Sequence, residues 1–80
     1  MTEFKKGDRV RVCWESDYNK MLQKQFNIPS NIGRLGTVVE TQYNPNMAVY
    51  GQGNEVLVRM DDYNTYAELW CDRNLELLKE

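Results

Sequence analysis

The side chains able to do covalent chemistry are few. The chain has two cysteines, Cys13 and Cys71, and no histidine. A thiol or hydroxyl nucleophile needs a base beside it, and imidazole is the commonest base and the commonest metal ligand. The cysteines do not form a CxxC pair, and two thiols alone are a poor zinc site. Ser16 and Ser30 fall in loop-like contexts without a triad pattern. Asp61 and Asp62 are adjacent in a turn cluster and lack the ligand spacing of a calcium loop. Gly51-Gln52-Gly53 lies between expected strands, not ahead of a helix, so it does not read as a phosphate loop. The reading is a protein that is not an enzyme, with no cofactor and no metal.

What the residues do offer is surface recognition. Two Trp, five Tyr and two Phe in 80 residues exceed what so small a core easily buries. Phe4, Trp14 and Phe26 are expected inside. Tyr43, Met47, Tyr50, Tyr63 and Trp70 are expected to form a partner-binding surface, centred on the loop Tyr43–Gly53 and the turn at Tyr63. Trp70 serves there as an outer-face anchor, and Tyr66 also faces outward. Tyrosine and tryptophan suit interfaces because each joins an apolar body to a polar tip. Asn44, Asn46, Gln52 and Asn54 would supply the polar rim. The expected partner is a larger protein, and the expected role is a small adaptor or inhibitor, the kind of accessory protein that phages encode. The alternative is a module for RNA or single-stranded nucleic acid. Lys5, Lys6, Arg9, Arg11, Lys20 and Lys24 would then track phosphates while tyrosines stack bases.

Charge bears on that choice. Ten Lys and Arg against 12 Asp and Glu give a net charge of −2. Residues 1–40 carry seven basic and five acidic side chains, and residues 41–80 carry three and seven, so the halves differ by sign at +2 and −4. Duplex DNA rewards a broad basic footprint, which an acidic chain lacks. A local basic patch on the first half stays open. No segment reaches the roughly 20 apolar residues of a membrane span, and the polar start MTEFKKGD is no signal peptide. A cytoplasmic location with reduced thiols is therefore expected.

The elements that must position these residues read as a mainly β chain forming one domain, residues 1–80. In Asp8–Trp14, Val10, Val12 and Trp14 alternate with Arg9, Arg11 and Cys13, the period of a strand with one buried face. In Glu15–Ile32 the stripe Tyr18, Met21, Leu22 and Phe26 has helical spacing. Ser16 or Asp17 caps it and Pro29 ends it, which predicts a short helical turn within residues 16–28. That stripe is expected to plug the open end of a small barrel, with a partner-binding helix as the alternative. Leu35–Thr41 is the second strand, its Gly33 and Gly36 marking a bulge or bend. Glu55–Met60 is the third strand. Its outer partner Thr65–Cys71 should turn Ala67, Leu69 and Cys71 inward, because Glu68 is costly in a core. Cys13 faces outward. Asp72-Arg73-Asn74 predicts a 3₁₀ turn before a last strand at Leu75 and Leu77. The expected core is Val10, Val12, Val38, Val56, Val58 and Leu77. The long stretch Gln42–Asn54 is a loop into which both flanking strands could extend.

Five short strands, a long first connection and a 3₁₀ turn before the last strand describe a single five-stranded SH3-like barrel. The run Lys6-Gly7-Asp8-Arg9-Val10-Arg11-Val12 resembles the first strand of SH3-like domains of the KOW and photosystem-accessory type. Gly33-Arg34-Leu35-Gly36-Thr37-Val38-Val39 is similar to their G-x-x-G-T-V bend, and Val56-Leu57-Val58-Arg59-Met60-Asp61 to their third strand. Asp72-Arg73-Asn74-Leu75-Glu76-Leu77 resembles their closing turn and strand. The resemblance covers about four-fifths of the chain and implies a fold, not an activity.

Overall fold

The computed structural model describes residues 3–46 and 53–79. The turn at Lys5–Asp8 starts the fold. Lys5 donates its backbone N–H to Asp8 Oδ2 at 2.8 Å, and Gly7 takes a φ of +93° that a side chain would resist. Strand β1, Arg9–Val12, follows. Helix α1, Asp17–Phe26, fills the first long connection. Strands β2 (Leu35–Tyr43), β3 (Asn54–Met60) and β4 (Tyr63–Cys71) form a meander. A 3₁₀ turn, Asp72–Asn74, then leads into β5, Leu75–Leu77. The five strands make one antiparallel sheet in the order β4-β3-β2-β1-β5. The sheet is not closed: among the described residues no ladder joins β4 to β5. The mainly β architecture holds, and both flanking strands extend into the long loop as far as Tyr43 and Asn54.

One face of the sheet carries the core of Phe4, Val10, Val12, Val38, Val56, Val58, Met60 and Leu75, with Trp70 packed against it. Five of the six expected core residues are in this cluster. The sixth, Leu77, pairs with Val10 but remains 36% exposed, because it ends a three-residue edge strand. Leu75, opposite Val12, is buried instead. The irregularity in β2 falls between Val38 and Glu40, not at a glycine. It shifts the alternation, so that Thr41, and not Glu40, lies opposite Val56. Gly36 has a different task. A Cβ there would stand 2.5 Å from Val58 Cγ1 and 2.8 Å from the Arg59 carbonyl oxygen, so β3 packs this closely on β2 only over a bare backbone.

The inner face of β4 reverses the expected one. Val56 faces Trp70 and Val58 faces Glu68, while Leu57 faces Leu69 and Glu55 faces Cys71. Directly opposed residues share a face. Trp70 and Glu68 therefore lie on the core side, Leu69 and Cys71 on the other, and Leu69 is 53% exposed. The reason is Arg34. Its guanidinium donates to Glu68 at 3.1 and 2.7 Å, which removes the penalty of an inward carboxylate.

Helix α1 follows its local signals. Ser16 caps it, its Oγ accepting the Asn19 N–H at 3.2 Å. Asn27 ends it in the left-handed region at φ 55°, two residues ahead of Pro29. The helix does not plug the core, for none of its residues is buried. Tyr18 and Phe26 are each 63% exposed and Met21 is 54% exposed. Phe26, expected inside, is thus on the surface. The core is completed by Phe4 and Trp70.

Candidate functional site

The aromatic residues expected to form one surface are divided by the sheet. Tyr43 lies opposite Asn54 and Tyr63 opposite Met60, the two ends of β3. Six residues of strand separate them, roughly 20 Å. Trp70 is an inner-face residue near the Tyr43 end, half-buried and not an outer anchor. Its indole Nε1 is buried without a hydrogen-bond partner. Met47 and Tyr50, together with Gln52, lie outside the described residues.

The Tyr43 end is a polar knot below an exposed ring. Asn44 donates its backbone N–H to the Gly53 carbonyl at 2.5 Å. Gln42 and Asn44 each donate a side-chain amide to the Glu55 carboxylate at 2.5 Å. These two amides hold Glu55 below the usual carboxylate range. Asn54 donates to Asp72 Oδ2 at 3.0 Å. Asn44 and Asn54, expected as rim residues, are thus engaged within the fold. Tyr43 is 69% exposed. One edge of its ring lies so close to Gly53 that a Cβ there would meet it at 2.7 Å.

The Tyr63 end is clamped. Arg9 donates to both oxygens of Asp61, at 2.8 and 2.5 Å, and to Thr37 Oγ1 at 2.9 Å. Arg34 donates to both oxygens of Asp62 at 2.9 Å. The Asp61 N–H bonds the Leu35 carbonyl at 2.8 Å. These guanidinium contacts hold both aspartates below the usual range and push the Arg34 guanidinium up. On the strand leaving this turn, Tyr63 and Tyr66 present a tilted ring pair with centroids 6.4 Å apart. They are 52% and 68% exposed.

The six cations of the alternative reading fall in three places. Lys5 and Lys6 are exposed on the first turn, Arg9 and Arg11 point outward from β1, and Lys20 and Lys24 are exposed on α1. Both arginines are neutralised. Arg9 is paired with Asp61, and Arg11 is paired with Glu76, its Nε donating at 2.5 Å.

The buried carboxylate Glu15, which sequence reasoning did not single out, organises the first connection. Its Oε1 accepts the Ser30 hydroxyl at 2.5 Å and the Asn31 N–H at 3.0 Å, and its Oε2 accepts the Gln23 amide. Burial pushes this carboxyl up, but the hydrogen bonds from Ser30, Gln23, Asn31 and Ile32 outweigh it and leave the group below its ordinary range. Gln23, Ser30 and Asn31 stand eight, fifteen and sixteen residues away, at no regular period, so the sequence carries no signal for them. A second knot forms at buried Asn74. Its amide donates to the Trp14 carbonyl at 3.0 Å while its Oδ1 accepts the Cys71 N–H at 3.0 Å. The neighbouring Arg73 guanidinium stacks on the half-buried Trp14 ring, 4.1 Å from its centroid.

Both cysteines are unbridged. Cys13 is exposed and Cys71 half-buried on the face away from the core, not inward as expected. Burial and Glu76 push the Cys13 thiol up; burial, Asp72 and Glu55 do the same to Cys71. Both are shifted away from the thiolate, the opposite of an activated nucleophile. Cys13 rims an open groove of about 300 Å³ between Arg11, Val12, Ile32, Gly33 and Glu76. Among the described residues no group of three or more thiol or carboxylate side chains could hold a metal ion. No helix there is long and apolar enough to cross a membrane. Comparison of the chain with protein-family models, curated proteins and solved structures gave no match.

Proposed function

We propose that the domain is a non-catalytic protein-interaction module, a small adaptor or inhibitor that acts in the cytoplasm on a larger protein. The observation that carries this reading is the Tyr63–Tyr66 pair, exposed beside a turn that two guanidinium–carboxylate forks hold in place. Interfaces draw most of their energy from a few aromatic side chains, and a platform already ordered avoids the entropy of ordering it on binding. Tyr43, at the other end of β3, presents a second exposed ring. The meander order and the 3₁₀ turn before β5 also support an SH3-like barrel scaffold. Nucleic-acid binding is disfavoured, because the carboxylates on Arg9 and Arg11 occupy the forks that would meet phosphate.

Affinity capture with the wild-type domain and a Tyr63→Ser, Tyr66→Ser variant tests the proposal. Protein partners held by the wild type should be lost from the variant at an unchanged melting temperature. Retention of a single-stranded oligonucleotide at physiological salt, abolished by Arg9→Ala and Arg11→Ala, would establish the nucleic-acid reading instead.

A further inference from the structure

The charge around the tyrosine pair is not balanced. Arg34 is shared between two carboxylates. It donates to both oxygens of Asp62 at 2.9 Å and to those of Glu68 at 3.1 and 2.7 Å. Its Nη1 also bonds Asn31 Oδ1 at 2.9 Å, so no N–H is left over. One positive charge against two negative ones leaves a surplus of one negative charge. Arg9 and Asp61, on the same turn, cancel each other. The surplus also faces solvent: the Asp62 side chain is 58% exposed, whereas that of Arg34 is 20% exposed.

This charge lies beside the rings. Asp62 directly precedes Tyr63, and Glu68 follows Tyr66 by two residues. Tyr63 opposes Met60 and Glu68 opposes Val58, so both stand on the core side of β4. Tyr66 meets Tyr63 there. Arg59 lies between Val58 and Met60 on β3 and opposes Thr37, so it points to the other face and is not set against the rings. We propose that the tyrosine pair receives a basic side chain, Lys or Arg, of the partner protein. An aromatic face attracts a cation within about 6 Å of its centroid. Two rings with centroids 6.4 Å apart and planes tilted by 38° offer two such faces to one site. The neighbouring carboxylates strengthen that attraction, and the domain's net charge of −2 steers a basic surface toward it. The same charge repels an acidic segment or a phosphate backbone. A second copy docked symmetrically would set the surplus against its own image. The inference rests on the tyrosine pair being an interface and adds what that interface accepts.

The test titrates the ¹⁵N-labelled domain with synthetic decapeptides that carry a central Arg or Lys among Pro, Leu and Ala, beside matched sets with Gln or Glu at that position. The basic set should shift amides of residues 61–68 and bind about tenfold more tightly than the Gln set, with the difference shrinking as salt rises. The Glu set should not bind. Asp62→Asn leaves Arg34 paired with Glu68, and should lower affinity about threefold, as loss of one rim charge does. Tyr63→Phe with Tyr66→Phe keeps both ring faces and should bind within about twofold of wild type. Tyr63→Leu with Tyr66→Leu keeps apolar area but removes the ring faces, and should lose about tenfold. The inference is overturned if no basic peptide shifts these amides, if the three sets bind alike, or if the Leu variant binds as well as wild type. Equal binding by all sets, with protein capture still lost from the Tyr63→Ser, Tyr66→Ser variant, would leave the interface standing and remove only its basic occupant. Capture that survives that variant would remove the interface and this inference with it.

Discussion

The sheet and the α1 connection are built on opposite plans. The sheet is held by apolar packing: Val10, Val12, Val56, Val58 and Met60 are completely buried, while the inward Glu68 is paired with Arg34 and the buried Glu55 accepts two side-chain amides. The connection buries no helical residue and closes on one carboxylate, Glu15, with its apolar side chains outside. In the sheet the hydrophobic effect supplies stability, so the surface is what remains for other uses. In the connection, directional hydrogen bonds hold the backbone, and Tyr18, Met21 and Phe26 stay outside the core.

Variants should separate the two plans. The largest effect belongs to the close β2–β3 contact at Gly36. Gly36→Ala forces a Cβ against Val58 and the Arg59 carbonyl, so a loss of about 3 kcal/mol is expected in a denaturant melt, as for an overpacked core. Val38→Ala, at a 1%-exposed position, should cost about 2 kcal/mol through lost burial and a residual cavity. Glu15→Ala should cost about 1–2 kcal/mol, because it strands the donors of Ser30, Gln23 and Asn31. Its signature is local: α1 amide signals broaden or move while β2 and β3 signals stay. Met21→Ser should remain within about 0.5 kcal/mol of wild type, as for an ordinary surface change.

Acid sharpens the same contrast. Asp61 and Asp62 are held below the usual carboxylate range by Arg9 and Arg34, and Glu15 by hydrogen bonds that outweigh its burial. A carboxyl depressed in the folded state contributes stability above its unfolded value of about 4 and loses it as the pH falls toward its folded value. The α1 signals should therefore change with Glu15 in that acid window, and Glu15→Gln should blunt the change there. The thiols differ in sign. With both pushed up, alkylation of Cys13 at neutral pH should run slower than that of an unperturbed cysteine and accelerate as the pH rises.

Much of the sheet was legible because alternation is a local signal. Val10 and Val12, or Val56 and Val58, declare a buried face without reference to anything distant. The 3₁₀ turn and the Ser16 cap were readable for the same reason. The inner face of β4 was not: Glu68 argued for the wrong side, since its partner Arg34 lies 34 residues away. The bulge before Glu40 also has no local mark, as it is set by pairing with β3. Aromatic residues close in a turn-rich sequence invited a single surface, yet Tyr43 and Tyr63 bracket a strand that must hold them apart. The apolar stripe of α1 was seen, and its helix forms. Its expected role as a plug failed because Phe4 and Trp70 complete the core.

Residue-resolved native-state hydrogen exchange tests the division most directly. Amides of Val38, Val56 and Val58 should exchange only through global unfolding, whereas amides of the last helical turn, Gln23–Phe26, should open at a much lower free energy. Glu15→Gln should lower the helical values and leave those in the sheet within error. Equal opening free energies in α1 and the sheet, falling together in the variant, would show one cooperative unit and contradict the account.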